Sequence, residues 1–221
     1  MIEVLSSFEC VPNTFFIAVD LMDAFLTWSE KNYEPRAIHL IGITAMLLAS
    51  KIEEITPFKV CIAVEKMAHG KLTAREIVHC ETDMMETLDF RLMGNSSLYV
   101  FVEMVLVRLN FHSSPIWPDV LKVVTYITKM AMHDYDVLRR YQLEYLGCGC
   151  VYLCFKIIEQ ARDDFNVKLY LDEMKRAFGL EEVLFYNAAE DLLNLAKEFE
   201  TAFSYAKNLL KYDSFSLERS N

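Results

Sequence analysis

The sequence predicts an all-α protein made of two five-helix repeats, and three observations carry that prediction. The stretch from Leu40 to Ser50 holds no charged side chain and only two hydroxyls, Thr44 and Ser50. A helix over it is apolar on every side and is therefore buried on every side, as the central helix of a core. The whole chain of 221 residues has 53% hydrophobic content with only six glycines and five prolines. That is too apolar for disorder and too poor in turn formers for a fold of many hairpins. Finally, a shift of 105 positions superimposes Gly42 on Gly147, Leu48 on Leu153, Lys51 on Lys156, Ile52 on Ile157 and Glu54 on Glu159. Leucines match by chance in apolar helices, but glycine, lysine and glutamate at one offset indicate an internal repeat.

In chain order, Met1 to Phe8 reads as the end of a helix, apolar at several positions and with no capping residue before it. Pro12-Asn13-Thr14 breaks the pattern, and Asn13 or Thr14 can cap a helix from Phe15 to about Ser29. Asp23 lies in that helix among Leu21, Met22, Phe25 and Leu26, where an acid is expensive without a cation. A polar loop, residues 30–36, leads to the central helix. Within it Gly42, Ala45 and Ala49 form a row of small residues that lets another helix cross at close range. Lys51, Glu53 and Glu54 bring that helix to the surface. Thr56-Pro57 reads as an N-cap followed by proline at the first helical position, opening a short helix to about Met67. Gly70 ends it, and Thr73-Ala-Arg-Glu76 is a capping box for a helix that carries Ile77, Glu81, Met84, Met85 and Leu88.

Gly94-Asn95 separates this half from the next. Ser96 or Ser97 caps a helix to Leu109, and Pro115 and Pro118 open another to about Met132. A long apolar helix spans roughly Tyr141 to Ile158, a short one ends at Gly179, and a last one runs from Leu180 to about Leu210. The implied domains are 1–94 and 95–210, followed by a tail over 211–221.

The net charge is 22 − 32 = −10, which disfavours direct contact with nucleic acid. No apolar run reaches the eighteen or so residues of a membrane span, so no membrane contact is expected. Cys10, Cys61, Cys80, Cys148, Cys150 and Cys154 come with no signal-peptide pattern at the N-terminus, which points to a reduced, intracellular protein. Cys150 and Cys154 share a helical face, as a metal pair would. Cys148 points elsewhere and no histidine lies nearby, so packing in an apolar helix is the better reading and no metal or cofactor is expected. His39, His69, His79, His112 and His133 are scattered, no glycine-rich phosphate loop is present, and no nucleophile has a histidine and an acid beside it. No catalytic residues are expected.

Three segments carry a family resemblance. Asp20-Leu-Met-Asp-Ala-Phe-Leu26, Ile41-Gly-Ile-Thr-Ala-Met-Leu-Leu-Ala-Ser-Lys-Ile-Glu-Glu-Ile-Thr-Pro57, and Glu81 to Leu92 ending Thr-Leu-Asp-Phe-Arg-Leu resemble the first cyclin box of A- and B-type cell-cycle cyclins. The resemblance continues through the second half to Lys211-Tyr212 and Ser216-Leu217. It implies two tandem five-helix cyclin boxes and a regulatory subunit, not an enzyme, that binds and activates a cyclin-dependent protein kinase in the nucleus or cytoplasm. The alternative is a cyclin-fold scaffold or transcription-related adaptor that activates no kinase.

The resemblance also implies the residues of the kinase site. Lys51 and Glu81 match a pair that bonds backbone groups near the kinase C-helix, and Leu48, Ile52, Met85, Phe90 and Leu92 match apolar contacts around it. Ile52 stands where these cyclins usually carry an aromatic. Asp23 and Gly42 match structural positions. The helix that opens the family's first box, with the arginine that pairs the aspartate at Asp23, has no counterpart after Met1, so the resemblance implies that this chain is part of a longer protein. That helix forms half of the groove for Arg-x-Leu motifs of substrates and inhibitors. Glu3 and Ile38 match surviving groove positions and Pro35 replaces a basic residue, so such docking is expected to be weak or absent.

Overall fold

In the computed structural model, which describes residues 1–29, 31–92 and 97–203, every regular element is helical and no strand occurs among the described residues. The chain divides into two units, Met1–Ser97 and Leu98–Asn221.

The first unit is assembled around α3 (Pro35–Glu53), with α1 (Ile2–Ser7) and α2 (Pro12–Trp28) before it. After it come α4 (Val60–Ile62), which runs on as a π-helical turn over Ala63–Met67, and α5 (Ala74–Thr87). Helix α3 packs on α2, α5 and the π turn, and from Ile43 to Ser50 every residue is buried. A helix covered on several sides has no solvated stripe, which is why its sequence shows none. Around it Phe16, Phe25, Ile77 and Met84 close the core. By length and composition only, Pro35–Glu53 is long and apolar enough to cross a membrane. Its run free of Asp, Glu, Lys and Arg, between Arg36 and Lys51, is shorter than eighteen residues. Half of its apolar window is packed inside the unit, as in a core helix.

The second unit is built on α9 (Leu143–Ala161), covered by α6 (Leu98–Arg108), α7 (Trp117–Ala131), α10 (Lys168–Phe178) and α11 (Glu182–Ala202). A short α8 (Tyr135–Arg140) precedes α9. Phe155, Phe185, Phe199, Ile127, Met130 and Met174 fill this core.

Several predicted boundaries shift. Helix α2 starts at Pro12 with Val11 as N-cap and no side-chain cap, so neither Asn13 nor Thr14 opens it. The Val11 N–H instead donates to Glu54 Oε1 at 2.9 Å and Thr14 Oγ1 to the same oxygen at 2.5 Å. Thr56-Pro57 opens no helix, since α4 begins only at Val60 with Lys59 as N-cap. Phe58 is held back by its N–H, which donates to Ser50 Oγ at 3.1 Å, and by its ring, packed edge-on to Phe8 with centroids 5.0 Å apart. The capping box is present: Glu76 N–H donates to Thr73 Oγ1 at 3.2 Å and Thr73 N–H to Glu76 Oε2 at 2.7 Å. Gly70 and Gly179 take positive φ at the predicted helix ends. Helix α8 has no counterpart among the predicted elements; Asp134 caps it by accepting from the N–H groups of Asp136 and Val137. Gly94-Asn95, Ser96, the end of the last helix near Leu210 and the tail with Lys211-Tyr212 and Ser216-Leu217 lie outside the described residues.

The small-residue row holds only in part. A Cβ on Gly42 would meet Met1 Cε at 3.6 Å and Met22 Sδ at 3.9 Å, which is ordinary contact. Gly42 is therefore not a point of forced approach. Its repeat mate is: a Cβ on Gly147 would overlap the Phe101 ring, lying 2.9 Å from Cε1.

Candidate functional site

Lys51 lies in the last turn of α3 and Glu81 in the middle of α5, and the packing of these two helices makes their side chains meet. Lys51 Nζ donates to Glu81 Oε1. The pair is asymmetric, the lysine side chain being 41% exposed and the glutamate 10%. The carboxylate is thus held in the wall of the unit while the ammonium keeps donors available at the surface. A lysine at a helix C-terminus also meets the negative end of the helix dipole favourably.

The apolar residues matched by the resemblance do not all share this surface. Leu48, one turn before Lys51, is only 3% exposed and belongs to the core, so it is not available to a partner. Ile52 and Met85 are half-buried beside Lys51 and one turn after Glu81, and Leu92 is half-buried as well. Phe90 is 67% exposed. Its position is enforced by the end of α5, where Asp89 and Phe90 both take left-handed backbone, φ 50° and 56°. Their N–H groups close the helix by donating to Glu86 O at 3.0 Å and Met85 O at 2.8 Å. Neither is glycine, and each such residue costs roughly 1–2 kcal/mol, so the turn is a strained mount for an exposed aromatic ring. Ile55, which the resemblance does not assign to the kinase site, is fully exposed. Its signal in the sequence is a lone isoleucine between Glu54 and Thr56.

Glu54 stands in the sequence as one member of a charged cluster, yet it ties the end of α3 to the start of α2 through Val11 and Thr14. Burial above all, helped by the charge of Glu54 and a hydrogen bond to it, pushes the Cys10 thiol up to about 12. Glu159, the repeat mate of Glu54, likewise accepts a backbone N–H, that of Val167 at 2.9 Å.

Asp23 does not sit in the apolar interior. It is exposed on α2, one turn from Asp20, which is exposed too. Desolvation by the apolar residues around them raises both carboxyls, Asp20 to about 6 with a further push from Asp23. Among the described residues no cation pairs with either. Glu3 is exposed on α1 and Ile38 half-buried in the first turns of α3. Cys148, Cys150 and Cys154 are buried, and burial pushes the first two thiols up to about 12 and the third in the same direction. Thiols held neutral in this way are poor metal ligands. Among the described residues no three His, Cys, Asp or Glu side chains are grouped to hold a metal ion.

Residues 1–93 match the family described as cyclin, N-terminal domain. The putative cyclin-A3-1 of Arabidopsis thaliana is 29% identical over 187 residues, covering 82% of this chain and 50% of the relative. The G2/mitotic-specific cyclin cig2 of Schizosaccharomyces pombe is 26% identical over 163 residues, covering 72% of this chain and 36% of the relative. The chain thus spans half or less of the length of these curated relatives. In fold it is similar to a viral cyclin from herpesvirus saimiri, with a TM-score of 0.71, 19% identity, and coverage of 94% of this chain and 84% of the other. The apolar α3 that ends in Lys51 and the glutamate that meets it from α5 both lie within residues 1–93, which match the cyclin N-terminal domain, and the chain is similar in fold to a cyclin.

Proposed function

We propose that this chain is a regulatory subunit that docks a cyclin-dependent Ser/Thr protein kinase on its first unit and switches it on in cell-cycle control, in the nucleus or cytoplasm. The observation that carries this reading is the Lys51–Glu81 pair, which joins α3 to α5 on the side where Met85 and the strained Phe90 turn follow. Lysine retains donors and the carboxylate retains acceptor capacity, so the pair can satisfy N–H and C=O groups of a partner backbone together. In this reading the exposed Phe90 and Ile55 and the half-buried Ile52, Met85 and Leu92 contribute apolar area to the contact, and an exposed aromatic is a natural anchor. A partner that binds the active kinase conformation better shifts the kinase toward it by that difference in affinity. The movement required is of the kinase C-helix, which brings its glutamate to the phosphate-binding lysine.

The test is phosphate transfer to a peptide by a panel of purified, inactive cyclin-dependent kinases, each mixed with this chain or with Lys51→Ala or Glu81→Ala. Activation of one kinase, reduced at least about tenfold by each substitution, is expected for a pair whose partner groups are left unpaired. Binding without activation would move the reading to the scaffold, and no binding to any kinase would overturn it.

A further inference from the structure

Thr56-Pro57 has the sequence of a helix start and does not serve as one. Helix α4 begins three residues after the proline, and Thr56 makes no side-chain hydrogen bond among the described residues. Residues 54–59 are neither helix nor strand, and Ile55, Thr56, Pro57 and Lys59 are all exposed. The Thr56 hydroxyl is thus presented to solvent on irregular backbone, and the proline after it disfavours helical backbone at Thr56. A protein kinase that accepts this segment meets no N–H at the position following the hydroxyl, which is the requirement of a proline-directed site. Lys59, three residues on, adds a cation for an acidic subsite.

The other hydroxyl residue before a proline differs in each respect. Ser114 is half-buried, its N–H donates to Phe111 O at 2.8 Å, and its Oγ accepts from the Ile116 N–H at 3.4 Å. Three residues on stands Trp117 rather than a cation.

We propose that Thr56 is a phosphorylation site for a proline-directed Ser/Thr protein kinase, and that its phosphate weakens docking at the Lys51–Glu81 surface. Thr56 Oγ attacks the γ-phosphorus of magnesium ATP. The new O–P bond forms as the bond to the departing ADP breaks, and the hydroxyl proton passes to a base of the modifying kinase. The phosphate brings a charge of about −1.5 to −2, two residues beyond Glu54 and just past the C-terminal end of α3. Negative charge there opposes the helix dipole and repels Glu53 and Glu54, the second of which holds the start of α2. It also sits five residues after Lys51, whose positive charge the docking surface uses. The effect on docking rests on the kinase-binding reading above; the modification itself does not.

The experiment incubates the chain with magnesium ATP and a cyclin-dependent kinase already activated by a different cyclin, and maps the phosphate by tandem mass spectrometry. Binding to the inactive kinase panel is then measured before and after. Phosphate on Thr56 and none on Ser114 is expected, with affinity lowered about tenfold. Thr56→Ala should bind like the unmodified chain and lose none of that affinity on incubation. Absence of phosphate on Thr56 overturns the site, and equal affinity of the two forms overturns its effect. If the unmodified chain binds no kinase, the docking reading falls and the effect falls with it, while the mapping still decides the site.

Discussion

Asp20 and Asp23 show how far a residue's neighbours in sequence mislead about its surroundings. Flanked by Leu21, Met22 and Phe25, Asp23 reads as a buried acid in need of a cation, yet the helix turns it outward, one turn from Asp20. What remains of the cost is desolvation by the adjoining apolar surface, which raises Asp20 from 3.8 to about 6. A carboxyl raised in the folded state is penalised when it ionises, so the folded chain loses stability as pH climbs from about 4 to about 6. Above that range the loss is complete and flat. Asp20→Asn should therefore raise the urea midpoint at pH 7 and change it less at pH 4, and a carboxyl resonance titrating near 4 in the native chain would refute the account. Lys51 and Glu81 are joined at the level of sequence only through the family resemblance. Thirty residues of separation carry no geometric information, and their contact follows from how α3 and α5 pack.

At the level of elements, local chemistry is legible where it is self-contained. The Thr73–Glu76 box and the glycines after the π turn and after α10 act through their own neighbours and form as the sequence predicts. Thr56-Pro57 misleads because the competing forces are distant: Ser50 and Phe8 hold Phe58 and delay the helix. Helix α8 is hidden in the sequence because six residues are too few to show a period, although Asp134 is a good cap. The repeat-related glycines diverge in the same way. Gly147→Ala should destabilise the chain by about 1–3 kcal/mol through overlap with Phe101. Gly42→Ala has room for its methyl and should be neutral or stabilise by up to about 1 kcal/mol through helix propensity. Thermal or urea unfolding of the two variants measures both, and equal effects would contradict the packing described.

Over the whole molecule, a common offset in the sequence has produced two units with similar central helices and dissimilar surfaces. Lys51 reaches across to Glu81 on another helix, whereas Lys156 bonds Glu159 on its own helix at 2.8 Å. The second is an exposed pair of the kind worth at most about 1 kcal/mol. Lys156→Ala should accordingly leave kinase activation unchanged in the same assay in which Lys51→Ala lowers it; loss in both would mean that the repeats share the work. The all-α class, the two buried central helices and the internal repeat were determined by the sequence by itself, because composition and periodicity report directly on which surfaces can face water. Which side chains remain outside those cores was decided by the tertiary structure alone. Leu48 and Phe90 are equally apolar candidates in the sequence. Packing of α3 closes over the first, and a left-handed turn at the end of α5 leaves the second in solvent, since exposure is a property of neighbours that the chain brings together only by folding.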